Sequence, residues 1–397
     1  MGMGSIANTG LKAAMTNMEA ISNNIANVNT IGYKKSQVNF ADVYANSFSN
    51  KQQVGFGVQT QSISQDFSLG RIETTGRGLD LCLSNDGFFV QKNSSGLTSY
   101  TRAGRMDLDK DGYFYGASGR LQGYPAVDGA IVASGALTDL QVKDSTFPAK
   151  PTSNVAMALN LDAKADVPVT PFSETDPTSY NHRMDTTVYD SLGKSYTMSV
   201  YYIKSSDNNW TTQMQLDNQP IGSGSVTFQS NGTLDTVSGM DALSWTPTGG
   251  ATSPQNLAIS LTDSTQFTGE YKKYSSDQDG YYSGLPLGFN IDGDGLINVT
   301  YSNGKSQVQG QVAVAQFRAP QGLSRAENMS WLATLDSGDA QLDPQSNLGV
   351  FGAGKVEYSN VDLTEELVSL MGAQHDFQAN AQVAQTYNQV LQTIENI

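Results

Sequence analysis

Apolar and polar positions follow two different rhythms along this chain. Near the N-terminus, Leu11, Met15, Met18, Ile21, Ile25 and Val28 recur at spacings of 4, 3, 3, 4 and 3. That rhythm marks one face of an amphipathic helix, nearly a heptad seam. Near the C-terminus, Leu363, Leu367, Leu370, Phe377, Ala381, Ala384, Tyr387, Leu391 and Ile394 form a longer stripe of the same kind. Asp362 and Glu365 ahead of it resemble a capping box, and acidic side chains suit a helix N-terminus. Between the ends the period drops to two. The stretch "RGLDLCLSNDGFFVQKNSSGLTSYTRAGRMDLDKDGYFYGASGRLQGYP" alternates short strands with NDG, KDG and SG turns, which is hairpin chemistry. Residues 286–318 repeat that style.

The block 145–285 differs. It opens on a Pro-rich linker, "FPAKPTS", and contains its own hairpin pieces. The fold expected is mixed and mainly β, with two nested β-rich domains. N- and C-terminal α-helices pair as a coiled-coil-like inner domain. The boundaries expected are 1–35 with 359–397 for the helical polymerisation domain and 36–71 for a connecting segment with strand character and room for a short helix. They are 72–144 with 286–358 for an inner discontinuous β-domain, and 145–285 for an inserted outer one. Two striped helices at the chain ends cannot hide both stripes in one another, and each buried Leu, Ile or Phe is worth roughly 1.5–3 kcal/mol. Either they pack on their own β-domain, or they pack on the same helices of neighbouring copies, which makes a filament if the contact does not close.

One detail conflicts with helix propensity. Asn23, Asn24, Asn27 and Asn29 crowd into "ISNNIANVNT". Asn29, Thr30 and Gly32 read as a helix end. Asn23 and Asn27 lie one turn apart, roughly opposite the Ile21–Ile25–Val28 stripe, and Asn24 flanks it. An amide both donates and accepts, so the expectation is a second working face, bearing Asn23, Asn24 and Asn27, for a neighbouring copy.

Composition narrows the options. Of 397 residues, 38% are hydrophobic and 15% charged, against roughly 25% charged in ordinary globular proteins. The surface is therefore rich in uncharged polar groups. The net charge of −15 argues against nucleic acid or an anionic membrane as partner. No apolar run reaches the length of a membrane-spanning helix. The single cysteine, Cys82, alternates with Leu in "LDLCLS" and reads as a buried strand residue. Nothing at the N-terminus resembles a cleaved signal peptide, so any export is expected to proceed without one.

Motifs for chemistry are weak. "DLDKDG" (Asp107, Asp109, Asp111, Gly112) and "NIDGDG" (Asn290, Asp292, Asp294, Gly295) match half of a calcium loop, but Ser118 and Tyr301 stand where a bidentate Glu belongs. Asp-Gly hairpin tips account for both. Gly193 and Gly304 open GKS triplets, with Val188 and Val299 where a phosphate loop needs its first Gly. His182 and His375 have no ligand partner at metal spacing. The reading is a protein that is not an enzyme and takes no cofactor or metal. A self-assembling structural subunit is favoured over a secreted β-rich adhesin, whose hairpins fit but whose free helical ends do not.

The residues also carry a family resemblance. "ISNNIANVNTIGYKKSQVNFADVY" resembles the N-terminal signature of the bacterial flagellar rod and hook axial proteins. "TGRGLDLCLSNDGFFVQ", "YTRAGRMDLDKDGYFYGASGRLQGYPA" and "YSNGKSQVQGQVAVAQFRAPQGLSRAENMSWLAT" are similar to the two halves of their β-domain. "SNVDLTEELVSLMGAQHDFQANAQVAQTYNQVLQTI" is similar to their C-terminal helix. The large insert, with "TPFSETDPTSYNHRMDTTVYDSLGKSYTMSVYYIK", resembles the hook branch of this family rather than the shorter distal rod branch. The resemblance implies a homopolymer at the bacterial flagellum, a curved tube serving as a universal joint for motor torque, with the helices inside. It implies as partners a hook cap, the distal rod protein, the hook–filament junction protein and the flagellar type III export apparatus.

Overall fold

The computed structural model describes residues 3–43, 55–133, 136–342 and 351–395. Two compact units share the chain. The first holds Met1–Asp144, Gly288–Val299 and Ser306–Ile397, and the second holds Ser145–Leu287 and Thr300–Lys305. The second is therefore set into the first along the sequence.

In the first unit, helix α1 (Met3–Ala26) and helix α2 (Leu363–Glu395) are in contact. They run antiparallel. A Cβ built on Gly4 would strike the Tyr387 ring, and one built on Gly10 would strike the Asn380 amide, while Asn24 bonds Glu366 near the other end. Strand β1 (Ser36–Asp42) pairs antiparallel with β2 (Val58–Gln65), and this hairpin lies along α1. The strand character expected in 36–71 is present. The short helix is absent among the described residues, and residues 44–54 lie outside them.

The β-body of this unit is built on period two. The strand Phe88–Lys92 sends Phe88 and Val90 into one apolar layer with Tyr100, Tyr124 and Trp331. It sends Phe89 into another with Leu81, Met106, Phe114 and Leu121. Successive side chains of a strand point to opposite faces, so a strand covered on both sides must be apolar throughout. Phe67, just past β2, rests edge-on against Phe88 and Trp331 at 5.5 Å from each, which anchors the hairpin to the body. Cys82 is buried in the strand Leu81–Leu83, and burial pushes its thiol pKa up, so it stays protonated.

The DKDG and DGDG stretches are hairpin tips. Asp109 Oδ1 accepts the N–H groups of Asp111 and Tyr113 at 2.9 and 2.8 Å. Asp292 Oδ1 accepts those of Asp294 and Leu296 at 3.0 and 2.9 Å. Gly112 and Gly295 take the positive φ, 80° and 74°, that each tip requires.

The second unit is a β-sandwich. A five-stranded antiparallel meander runs through His182–Tyr189, Ser195–Ser206, Asn209–Leu216, Gln219–Phe228 and Leu234–Ser238. A four-stranded sheet, in the order Leu243–Trp245, Gln255–Ser260, Asn154–Asn160, Lys272–Gln278, packs on it through one core that includes Met157, Leu159, Met198, Trp210 and Ile259. The buried Trp210 indole donates to Gln266 Oε1 at 2.8 Å, which satisfies the only polar atom of its side chain.

Candidate assembly site

The seam between the helices does not follow the most hydrophobic stripe. On α1 the buried positions are Ala7, Ala14, Ile21 and Asn24, with Gly10 pressed against Asn380. Ala7, Ala14 and Ile21 are seven residues apart, and Gly10 and Asn24 keep the companion phase of the same heptad. On α2, Glu366, Ala373, Asn380 and Tyr387 keep one heptad phase, and Leu370, Phe377 and Ala384 keep the other. A strict seven-residue repeat is what keeps two helices facing along their length. Small residues at the seam let the backbones approach closely.

This rotates the seam relative to the stripe read from the sequence. Ile21 belongs to it, while Leu11, Met18, Ile25 and Val28 are half-buried on its edge and Met15 is 49% exposed. On α2, Leu370, Phe377 and Tyr387 lie in the seam, but Leu363, Leu367, Leu391 and Ile394 are exposed.

Asn24 closes the end of the seam. Its Nδ2 donates to the Ser36 carbonyl at 2.9 Å and to Glu366 Oε2 at 3.3 Å. Its Oδ1 accepts the Ser36 N–H at 2.9 Å and the Tyr33 hydroxyl at 3.0 Å. One side-chain amide thus pairs with both backbone groups of Ser36, as a strand neighbour would, and both its donors and acceptors are used. Asn24 is 1% exposed, so its amide serves the chain's own fold and is closed to a neighbouring copy. Asn23 is exposed and Asn27 half-buried; the Asn27 Nδ2 donates to the Asn23 carbonyl and to Asn23 Oδ1, both at 2.9 Å.

A charged network binds the helix exit to the C-terminal segment. Lys35 Nζ lies 2.8 Å from Glu366 and 3.4 Å from Glu365. Burial alone would lower the Lys35 pKa, but the hydrogen bond and charge of Glu366, then Glu365, outweigh it and hold the ammonium above its ordinary value. Asp362 caps α2 by accepting the N–H groups of Thr364 and Glu365 at 2.8 and 3.2 Å. The cap residue is as expected, but the Glu365 carboxylate turns to Lys35.

Deeper, Glu357 gathers Lys34 Nζ at 2.6 Å, the Gly70 N–H at 2.8 Å and Arg102 Nη1 at 3.4 Å. All three charged side chains are 1% exposed. Burial lowers the pKa of both Lys34 and Arg102, and the Glu357 charge opposes it. Gly32 completes the turn: its φ is +73°, and a Cβ there would meet the Ala103 nitrogen. Sequence reading missed this network, because its members are local charges until the fold joins segments far apart. The heptad phase of Asn24 was the one signal that could have placed it inside.

The site is an assembly of packing faces, with no group of three or more His, Cys, Asp or Glu side chains arranged to hold a metal among the described residues. Paired terminal helices and a β-body go together here with sequence matches to the flagellar axial proteins. Residues 5–34 match the family described as Flagella basal body rod protein, 160–281 match Flagellar basal body protein FlaE D2 domain, and 353–397 match Flagellar basal body rod FlgEFG protein C-terminal. The chain is 37% identical to flagellar hook protein FlgE of Escherichia coli (strain K12), over 98% of each chain. It is 36% identical to that of Salmonella typhimurium over 98% of each, and 31% identical to that of Borreliella burgdorferi over 97% of each. The fold is also that of Helicobacter pylori flagellar hook protein FlgE2, with a TM-score of 0.52 at 15% identity over 73% of this chain and 100% of that one. The chain belongs to the flagellar hook protein FlgE family. It is a structural subunit of the flagellar hook.

Proposed function

We propose that copies of this chain form the wall of a short curved tube that carries motor torque from rod to filament. The observation that carries this reading is the second set of apolar side chains on α2. Leu363, Leu367, Val368 and Met371 are 44, 46, 60 and 61% exposed, while α1 covers a different face. An isolated helix pair leaves that surface wet, and the same helices on further copies can cover it. In this reading Leu11, Met15, Met18, Ile25, Val28, Leu363, Leu367, Leu391 and Ile394 meet neighbouring copies. The terminal segments 1–35 and 359–397 act as the polymerisation domain, and the units of 72–358 form the outer wall. The protein works with no catalytic step and no cofactor. The type III export apparatus, hook cap, distal rod protein and hook–filament junction protein are its proposed partners. Outer surfaces poor in charge slide past one another, because few ion pairs fix a register.

Brief proteolysis of the soluble monomer, followed by sedimentation and electron microscopy, tests this. The expected result is loss of both ends, a soluble core near 72–358 that no longer polymerises, and curved tubes from the intact chain. Resistant ends on a monomer that never polymerises would count against it. Short straight rods would favour a distal rod subunit.

A further inference from the structure

Leu335 is 102% exposed, more than any other large apolar side chain among the described residues. Its loop is nonetheless firmly built. Thr334 Oγ1 donates to the Gly322 carbonyl. Ser337, 1% exposed, accepts the Thr334 N–H at 2.9 Å and donates to the Thr334 carbonyl at 3.0 Å. The loop lies so close on Gly322 that a Cβ there would meet the Asp336 and Ser337 backbone. Asp336, beside the leucine, is exposed, and its carboxylate holds no cation or donor among the described residues. A rigid loop that presents one bare leucine gives up little conformational freedom when a partner covers it.

The strand that ends in this loop begins at a cavity. Asn328 and Met329, just before the strand Ser330–Leu332, both take a positive φ, 57° and 56°. That backbone is uncommon for a side chain as large as methionine. It is held by the Thr101 hydroxyl on the Met329 carbonyl at 2.7 Å and by the Asn328 amide on the Ala117 carbonyl at 3.1 Å. Met329 thereby walls a cavity of about 510 Å³ with Ile31, Ala103 and Tyr115, and Arg105 and Asp107 line it too. Asp107 already holds Arg77 at 2.6 Å. Arg105 is exposed, and its guanidinium has no carboxylate, ring or carbonyl partner among the described residues.

Four steps of about 3.3 Å separate Ser330 from Thr334, so the strand sets the leucine roughly 13 Å beyond the cavity wall. The leucine does not reach back into its own cavity, but that of a second copy can enter it. Charge selects this match. The cavity offers apolar walls and an unused cation, and the loop offers an apolar side chain and an unused carboxylate. Val169, next in exposure at 96%, has Pro168 and Thr170 beside it and no charge to match.

We infer that the Leu335 loop of one copy docks in the Met329–Arg105 cavity of a neighbouring copy, with Asp336 on the Arg105 guanidinium. This rests on the homopolymer reading above and adds a contact made by the β-body. Loop and cavity are different surfaces, so the contact is heterologous and passes from copy to copy.

Charge reversal in the full-length chain tests the pairing. Arg105→Glu and Asp336→Lys are made singly and together, and the concentration needed for polymer is read by sedimentation. Both residues are exposed, so monomer melting is expected to stay at the wild-type value. Each single change is expected to raise that concentration several-fold. The double change is expected to bring it back toward the wild type, because the reversed charges pair again. Single changes without effect, or a double no better than the singles, overturn the pairing and leave the homopolymer reading standing. A wild-type measurement guards against variants that do not fold: peroxide oxidation of Met329 in monomer and in polymer. Met329 is half-buried in the single chain, and several-fold slower oxidation is expected once a leucine closes the cavity. Equal rates in the two forms overturn the docking. A wild-type chain that never sediments as a polymer overturns the homopolymer reading and the pairing together.

Discussion

Asn24 and Ser36 are joined by a pair of hydrogen bonds, 2.9 Å each, in which a helix side chain stands in for the neighbouring strand of a ladder. That pair fixes where the chain leaves α1 and where the β1–β2 hairpin begins. Asn24→Leu takes the side-chain partner from the Ser36 N–H and carbonyl, while the Tyr33 hydroxyl keeps Asn23 Oδ1 and Glu366 keeps Lys35. Each buried group so stranded costs about 1–3 kcal/mol. The expected outcome is a large fall in the melting temperature of the first unit, with faster hydrogen exchange at the Ser36 amide. Unchanged exchange there would show that the pair is dispensable.

Asn23 provides the contrast one residue away. It is exposed and its Oδ1 accepts the Asn27 amide and the Tyr33 hydroxyl at 2.9 and 3.2 Å, so Asn23→Leu is expected to cost about 1 kcal/mol, less than Asn24→Leu. Assembly into tubes, followed by sedimentation, should fall markedly if this side of α1 meets another copy. A variant that melts early and assembles normally would reverse the assignment.

Glu357 is the only carboxylate bonded to both Lys34 and Arg102 among the described residues. Glu357→Gln keeps the shape and removes the charge, leaving two buried cations. Breaking a buried ion pair by removing one partner costs about 3–5 kcal/mol. Urea denaturation should show that loss in the first unit, with Gly70 N–H exchange accelerated. The midpoint of the second unit, read from Trp210 and Trp245, should not move.

Asp279 makes the second unit acid-sensitive. Burial alone would raise its pKa, but the Asn154 N–H, the Ser153 hydroxyl, the Lys150 ammonium and the Ser153 N–H hold it far below the ordinary 3.8. A carboxylate depressed by folding contributes stability above its unfolded pKa and loses it as pH falls through the folded value. Asp279→Asn should therefore be less stable by about 1.5–3 kcal/mol at neutral pH, the range for hydrogen bonds to a charged group. The gap to the wild type should narrow below about pH 4. A gap of constant size across that window would rule out the carboxylate's charge as its source.

Ser230 and Thr262 are exposed in the second unit. Ser230→Asp and Thr262→Lys add opposite charges to a surface that otherwise has few. If outer units slide in the bending tube, paired changes of this kind should alter curvature and stiffness in electron micrographs without changing the melting of the monomer. Tubes of unaltered curvature and stiffness would remove the support for sliding.

The sequence by itself determined the elements whose signals are local. The 3.6-residue rhythm at each end, the period-two runs between, and the Asp-Gly tips of Asp109 and Asp292 are set by neighbours within a few positions. Its motifs also carried the family. Tertiary structure decided the phase of the helix seam. Hydrophobicity favoured Leu and Met positions, but two helices approach most closely where side chains are small, at Ala7, Gly10 and Ala14, and the larger side chains are left to the flanks. It also decided that Asn24 lies inside and that Lys34, Arg102 and Glu357 share one buried cluster. Lys34 and Glu357 are 323 residues apart in sequence, and a charge that distant tolerates burial only once the fold brings its partner to hydrogen-bonding distance.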